Sequence, residues 1–347
     1  MVRKPCRVLV TGAGSGVGQG IIKALRISEL PVTVVSADIS TMNPALYRTD
    51  ESILIPLVES EGALDQIVEL LCSHKIDVVM IGSEFDLEFF SLNKEYIERV
   101  SGALIIVSQS ETVMIADDKW LTAEFLRKNH LPYAEAYLPQ GNADAERIAN
   151  KWGYPVVLKT RRGTSSRHVH IINDRSELLE RYASTPLPML QRVIDIPSPQ
   201  LSSEFTCSVF KTENGNMIGP FTARRTVRSG TSWFIEIAQF TVLQTTLMEI
   251  ADKLDFIGSL NIQLMLTAQG AIPFELNARF SGTTAVRAYY GFNEPAMALL
   301  SFFYREEVPA PKVRAGVAMR YHEEVFIENV SANSLLPNHK GIVNSWF

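Results

Sequence analysis

Short apolar runs separated by amphipathic stretches organise the first third of the chain. Arg7–Val10 is apolar and stops at Thr11-Gly12. From Val17 to Ser28, the positions Val17, Ile21, Ala24, Leu25 and Ser28 recur at helical spacing. Val32–Ser36, Val78–Ile81 and Leu104–Val107 read as buried strands, and Leu64–Ser73 and Asp86–Arg99 as helices. This alternation predicts a parallel, doubly wound α/β sheet over residues 1–112. A different pattern follows. Helices at Asp117–Asn129 and Asp144–Trp152 and strands at Pro155–Thr160 and His168–Ile172 predict a small α+β lobe over 113–187. From 188 to 347 strands dominate: Met189–Ile194, Glu204–Lys211, Met217–Arg228, Phe234–Gln239, Ser259–Leu266, Ala271–Leu276 and Gly316–Tyr321. Helices at Val242–Leu254 and Pro295–Tyr304 join them. Asn214-Gly215 and Gln269-Gly270 signal hairpins, so the third unit is expected to be mostly antiparallel.

Composition narrows the class. The 347 residues suffice for about two to three domains. A net charge of −5 argues against a nucleic-acid footprint. Cys6, Cys72 and Cys207 are far apart, with no CxxC pair, so reduced thiols are expected rather than a disulfide framework or structural zinc. No apolar run reaches membrane-spanning length and no signal-peptide core is visible. The expectation is a cytoplasmic protein with no membrane partner.

Three features carry chemistry. Thr11-Gly12-Ala13-Gly14-Ser15-Gly16-Val17-Gly18 follows a strand and opens a helix, with Asp38 twenty residues after Gly18. That arrangement suits a dinucleotide, or simply a tight strand–helix turn. No tyrosine has a lysine four residues later, which weakens a dehydrogenase of the short-chain type. Near the carboxyl end, strand alternation puts Glu275, Asn277 and Arg279 on one face, with Gln263 opposite Glu275 across a hairpin. Such a face is a solvated surface with an internal ion pair, or a Mg²⁺ site used with nucleotide phosphates. Lys159 ends an apolar strand beside the polar loop 161–167, which suits phosphate binding but is weak evidence alone. His168 and His170 have no evident third metal ligand.

The order Asp118-Lys119, Lys159 with its loop, Gln191-Arg192-Val193-Ile194, Glu204, Gln263 and Glu275-x-Asn277-x-Arg279 resembles the ATP-grasp superfamily over about residues 5–305. It is most similar to the units of the carbamoyl-phosphate synthase large subunit and to carboxylate–amine ligases. The resemblance implies a Rossmann-like pre-ATP-grasp domain followed by a two-lobed ATP-grasp fold. It implies ATP and Mg²⁺ as cofactors and small-molecule carboxylate and amine substrates joined through an acyl phosphate. By the same resemblance, Lys119 and Lys159 contact ATP and 161–167 is a flap. Gln191, Arg192, Val193 and Ile194 form the hinge whose backbone reads the adenine edge, and Glu204 holds ribose. Gln263, Glu275 and Asn277 are metal ligands. Arg279 stabilises the phosphoryl group, with Arg228 on the phosphate side. Family habit suggests a homodimer.

Two departures stand out: the flap has one glycine, and the metal position at Gln263 is an amide. One ATP-grasp unit without a glutaminase argues against carbamoyl-phosphate synthesis itself. Arg225, Arg287 and Tyr289 are candidates to face a carboxylate substrate, or else are surface arginines and a packed tyrosine. The competing readings are an NAD(P)-dependent oxidoreductase or epimerase using the glycine-rich turn, and a non-catalytic ATP-binding protein.

Overall fold

The computed structural model describes residues 3–163, 168–196, 203–337 and 339–343. The first region runs β1 (Cys6–Val10), α1 (Gly16–Arg26), β2 (Val32–Asp38), β3 (Glu51–Leu54), α2 (Ala63–Ser73), β4 (Val78–Met80), α3 (Glu84–Ser101) and β5 (Leu104–Ile106). Its sheet is parallel, in the order β3-β2-β1-β4-β5. Both faces are covered. Val8, Val10 and Val34 pack with α1, whereas Leu9, Val35 and Val79 pack with α2 and α3. Two-sided burial explains why these strands read as continuous apolar runs. β3 has no such run, because it is an edge strand of four residues, and its sequence gave no signal.

The second region holds α4 (Ser110–Asp117), α5 (Lys119–Lys128), β6 (Ala136–Tyr137), α6 (Asn142–Trp152), β7 (Val156–Thr160), β8 (Val169–Ile172), α7 (Arg175–Ser184) and β9 (Pro188–Arg192). Its sheet has the order β6-β9-β7-β8. This corrects the expected division at 187/188. The strand placed at the head of the third unit is β9, and it hydrogen-bonds β7. The pattern identified a strand but not its partner. The helix expected at 117–129 is also relocated. Leu126 of α5 is buried with Phe205, Cys207 and Leu276 of the third region. Asp118, in an extended conformation, separates α4 from α5 and caps α5 through the amides of Trp120 and Leu121.

The third region comprises β10 (Glu204–Lys211), β11 (Met217–Phe221), β12 (Ala223–Arg228), β13 (Thr231–Ile237), α8 (Gln244–Lys253), β14 (Gly258–Thr267), β15 (Gly270–Asn277), α9 (Thr284–Tyr289), α10 (Glu294–Ala298) and β16 (Gly316–Met319). The sheet is antiparallel, in the order β15-β14-β10-β12-β13-β16, with β11 paired to β10. The single strand expected over 217–228 is therefore two, parted at Thr222. Both hairpin signals fall at hairpins. The α1 face of the first sheet shares one core with this region. Ile21 and Leu25 cluster with Phe210, Phe292, Met297 and Leu299. Among the described residues no helix is long and apolar enough to cross a membrane.

Inside this core lies one charged pair. Arg287 and Glu294 are both fully buried and 3.2 Å apart. Glu294 also accepts from Ser208 and Ser259, and Arg287 donates to Asn261 at 2.5 Å and to Thr206 at 3.2 Å. Removing one partner of such a pair leaves the other charge without compensation. Glu294→Leu should destabilise the fold by about 3–5 kcal/mol. The urea midpoint should drop accordingly and recover in part when Arg287→Met is added.

Candidate functional site

A cleft of about 700 Å³ is lined by residues from all three regions. Its floor is a row of polar side chains across four neighbouring strands. Glu275 and Asn277 stand on β15, Gln263 on β14, Glu204 and Thr206 on β10, and Arg225 on β12. Gln263 faces Glu275 across the hairpin, as the spacing predicts. The row is continuous in hydrogen bonds. Arg225 donates to Glu204 at 2.5 Å and to the amide oxygen of Gln263 at 2.7 Å. Gln263 Nε2 and Asn277 Nδ2 both donate to Glu275 Oε1, at 2.9 and 3.0 Å.

This geometry fixes which atoms can meet a cation. The guanidinium of Arg225 requires the oxygen of Gln263 to face it, and the carboxylate of Glu275 requires the nitrogen. As the row stands, Arg225 occupies one of the two lone pairs of the Gln263 oxygen. Glu275 Oε2 accepts no hydrogen bond among the described residues, and Asn277, donating through nitrogen, keeps its oxygen. One carboxylate oxygen and one amide oxygen fit a hard cation that completes its shell with water and phosphate. Among the described residues there is no group of three or more His, Cys, Asp or Glu suited to a metal.

Two lysines face this row. Lys159, in β7, is almost fully buried, and its ammonium makes no hydrogen bond among the described residues. Burial, and then Lys119, push its pKa down to about 7, with Glu275 opposing. Lys119 Nζ donates to the carbonyl of Gly163 at 2.9 Å, and its backbone amide to that of Arg161. Asp118 pairs with Arg161 at 2.6 Å, so the start of the loop 161–167 is clamped to α5. Positions 164–167 lie outside the described residues. Away from the charges, Val157, Val169, Ile171, Val193, Ile194 and Met265 make an apolar slot beside Gln191.

The parallel sheet supplies the remaining wall. Glu84, the first residue of α3, lies 2.5 Å from Arg279. Burial raises the Glu84 pKa, and the nearby Glu275 and Asp117 carboxylates add to it, against Arg279. Burial likewise raises the pKa of Asp117, which also lines the cleft. Glu84, Asp117, Thr206, Asn261 and Arg320 were not singled out from the sequence. Only Glu84 carried a signal, its place just beyond the carboxyl end of a parallel strand.

Several expected residues lie elsewhere. The side chains of Arg192 and Arg228 point away from the cleft, because strand alternation turns them opposite to Gln191 and Val193, and to Arg225 and Val227; the hinge implied at 191–194 is one of backbone atoms, which this leaves in place. Arg192 pairs with Glu135, and its amide is bonded to the Glu135 carbonyl. Arg228 stacks over Trp233 at 5.0 Å. Arg287 is in the core against Glu294, and the exposed Tyr289 lies under Arg314. The glycine-rich turn is filled around Gly14 and Gly18, while Gly16 opens on the cleft. Asn43 Nδ2 sits 1.8 Å from where a Cβ on Gly14 would be and donates to Asp38, whose carboxylate also accepts from the Gly14 amide. Gly18 and Gly82 approach each other too closely for a Cβ. These glycines serve packing, and Asp38 is committed within the turn.

Residues 8–105 match the PylC-like N-terminal domain family, and residues 116–283 match the ATP-grasp domain family. The chain is 24% identical to the carbamoyl phosphate synthase large chain of Agathobacter rectalis, over 91% of this chain and 30% of that protein. It thus spans under a third of that relative's length. The fold matches N5-carboxyaminoimidazole synthetase from Staphylococcus aureus complexed with ADP, with TM-score 0.72 and 17% identity, over 91% of this chain and 82% of that one. It also matches the biotin carboxylase domain dimer of the Hydrogenobacter thermophilus 2-oxoglutarate carboxylase, with TM-score 0.72 and 16% identity, over 98% and 83%.

A polyphosphate beside Lys159 would favour its charged form and raise its pKa above 7. Binding must then take up a proton at alkaline pH. ADP affinity measured calorimetrically should hold below pH 7 and fall from pH 7 to 9, towards a limit of about tenfold per unit. Lys159→Met should bind weakly with a flatter profile.

Proposed function

We propose that this ATP-grasp protein with a PylC-like N-terminal domain is an ATP-dependent ligase that joins a carboxylate to an amine. In this reading the carboxylate oxygen bonds to the γ-phosphorus of ATP as the bridging P–O bond breaks and ADP leaves. The amine then bonds to the acyl carbon, phosphate departs, and the amine loses a proton. The observation that supports this reading best is Lys159, whose buried ammonium has no hydrogen-bond partner among the described residues and faces the Glu275 row.

Each residue has a task in this reading. Lys159 and Lys119 hold phosphate oxygens in a setting of low polarity, where charge acts strongly. Glu275 and Asn277 hold Mg²⁺, which neutralises phosphate charge when bound. Arg225 orients Gln263 and, with Glu204, closes the ribose side of the row. The slot at Val193 and Ile194 takes the adenine. Arg279, steadied by Glu84, neutralises charge on the transferring group. No side-chain nucleophile is required, since positioning and charge stabilisation carry the reaction. We place the activity in the cytoplasm, in keeping with three cysteines that form no disulfide, and the chain in a homodimer, the state of the Hydrogenobacter domain.

Thermal unfolding tests the nucleotide part. Mg-ATP at a hundred times its dissociation constant should add about 2.7 kcal/mol to stability. The gain should shrink in Glu275→Gln, and NADH should give none. Stabilisation by NADH alone, unchanged in Glu275→Gln, would move the chemistry to the glycine-rich turn. With a productive carboxylate–amine pair, Glu275→Gln should lower ADP release by about 100-fold or more. ATP binding without ADP release for any pair would leave a nucleotide-binding protein. Sedimentation that finds only a 38.7 kDa species would remove the dimer.

A further inference from the structure

Among the described residues, five basic side chains line the cleft: Lys119, Lys159, Arg225, Arg279 and Arg320. The lysines face the polar row, and Arg225 and Arg279 each have an acidic partner, Glu204 and Glu84. Arg320 is different. It follows β16, outside the residues matched to the ATP-grasp domain. Its Nε donates to the carbonyl of Ser232 at 2.7 Å, and its Nη2 to that of Gly282. Among the described residues it forms no ion pair. Two carbonyls therefore fix the guanidinium fork without neutralising it.

The surroundings deepen this charge deficit. Burial lowers the Arg320 pKa, with no acid offsetting the effect. Lys23 on α1 is pushed down by burial and then by Arg48 and Arg320, with Glu323 opposing. The walls nearby leave room. A Cβ on Gly16 would meet nothing within 4 Å, and one on Gly282 would meet only Arg320, at 4.0 Å. A partly desolvated cation facing an open cleft is unfavourable until an anion reaches it. A guanidinium suits a planar carboxylate or a phosphate, which accept its paired N–H groups.

We propose that Arg320 anchors an anionic group, a carboxylate or a phosphate monoester, carried by one of the two substrates. Calling the ligand a substrate rests on the ligase reading, whereas the anion site rests on the uncompensated guanidinium.

The test reads unfolding temperatures of wild type, Arg320→Gln and Arg320→Lys with saturating Mg-ADP. Succinate, glutamate or inorganic phosphate is added, each against chloride at equal ionic strength. At least one of the three should stabilise wild type, with a dissociation constant about tenfold weaker in Arg320→Gln, a loss of about 1.4 kcal/mol. Arg320→Lys should lie between them, and ADP affinity should be equal in all three proteins. A response to the carboxylates alone identifies an acid, and a response to phosphate alone a phosphorylated compound. No stabilisation of wild type by any of the three, or equal stabilisation in Arg320→Gln, overturns the proposal. If Arg320→Gln folds poorly, Arg320→Lys carries the comparison. If wild type binds no ADP, the ligase reading fails separately, and the same anion series without nucleotide still decides Arg320.

Discussion

The cleft depends on one packing constraint: α1 of the parallel sheet is buried against the segment that follows β15. Ile21 and Leu25 share a core with Phe292, Met297 and Leu299. The carbonyl of Ser281 would be 3.3 Å from a Cβ on Gly20. Asn293 reaches back to the carbonyl of Ala24 at 2.8 Å. This contact brings the ends of β4 and α1 over the polar row. It lets Glu84 meet Arg279, residues 195 positions apart. Without it, the row on the antiparallel sheet would be an open, solvated surface, and its charges would be screened as surface charges are.

Enclosure is what makes the side chains chemically useful. Lys159 is common as a residue type and unusual as an environment. Its side chain is buried at the cleft wall, so its ammonium loses water and is favoured only by the carboxylate of Glu275. Arg225, held by Glu204 and Gln263, sets the direction of two amides at once. The row has one acceptable hydrogen-bonding pattern, and that pattern leaves Glu275 Oε2 and the Asn277 oxygen available. Preorganisation here is a matter of satisfied donors, since a partly satisfied buried network would be costly.

The glycine-rich turn shows how a motif can persist with a different physical reason. Glycines at 14, 18 and 82 are required because backbone, or the side chain of Asn43, occupies the space a Cβ would need. In a dinucleotide site a ligand would occupy comparable space. Sequence pattern cannot separate the two cases, since both demand a missing Cβ. The hydrogen bonds of Asp38 to the Gly14 amide and to Asn43 separate them.

Local periodicity determined a good deal by itself. It gave the βα alternation of residues 1–112, the hairpin around Gln269-Gly270, the pairing of Gln263 with Glu275, and the shared face of Glu275 and Asn277. These follow from period two, period 3.6 and turn chemistry, which act within about ten residues. The resemblance placed Lys119, Lys159, Gln191 and Glu204 together, and the structure brings them to one cleft. What needed the tertiary structure was every relation between distant segments. β9 joined the second sheet, α5 joined the third core, and Arg287 was withdrawn into a buried pair with Glu294. Arg192 and Arg228 turned outward by strand parity. Glu84 and Arg320 reached the cleft from elements far from the motif. The reason is physical: burial, partner choice and charge compensation depend on which surfaces meet, and that is settled by packing the whole chain.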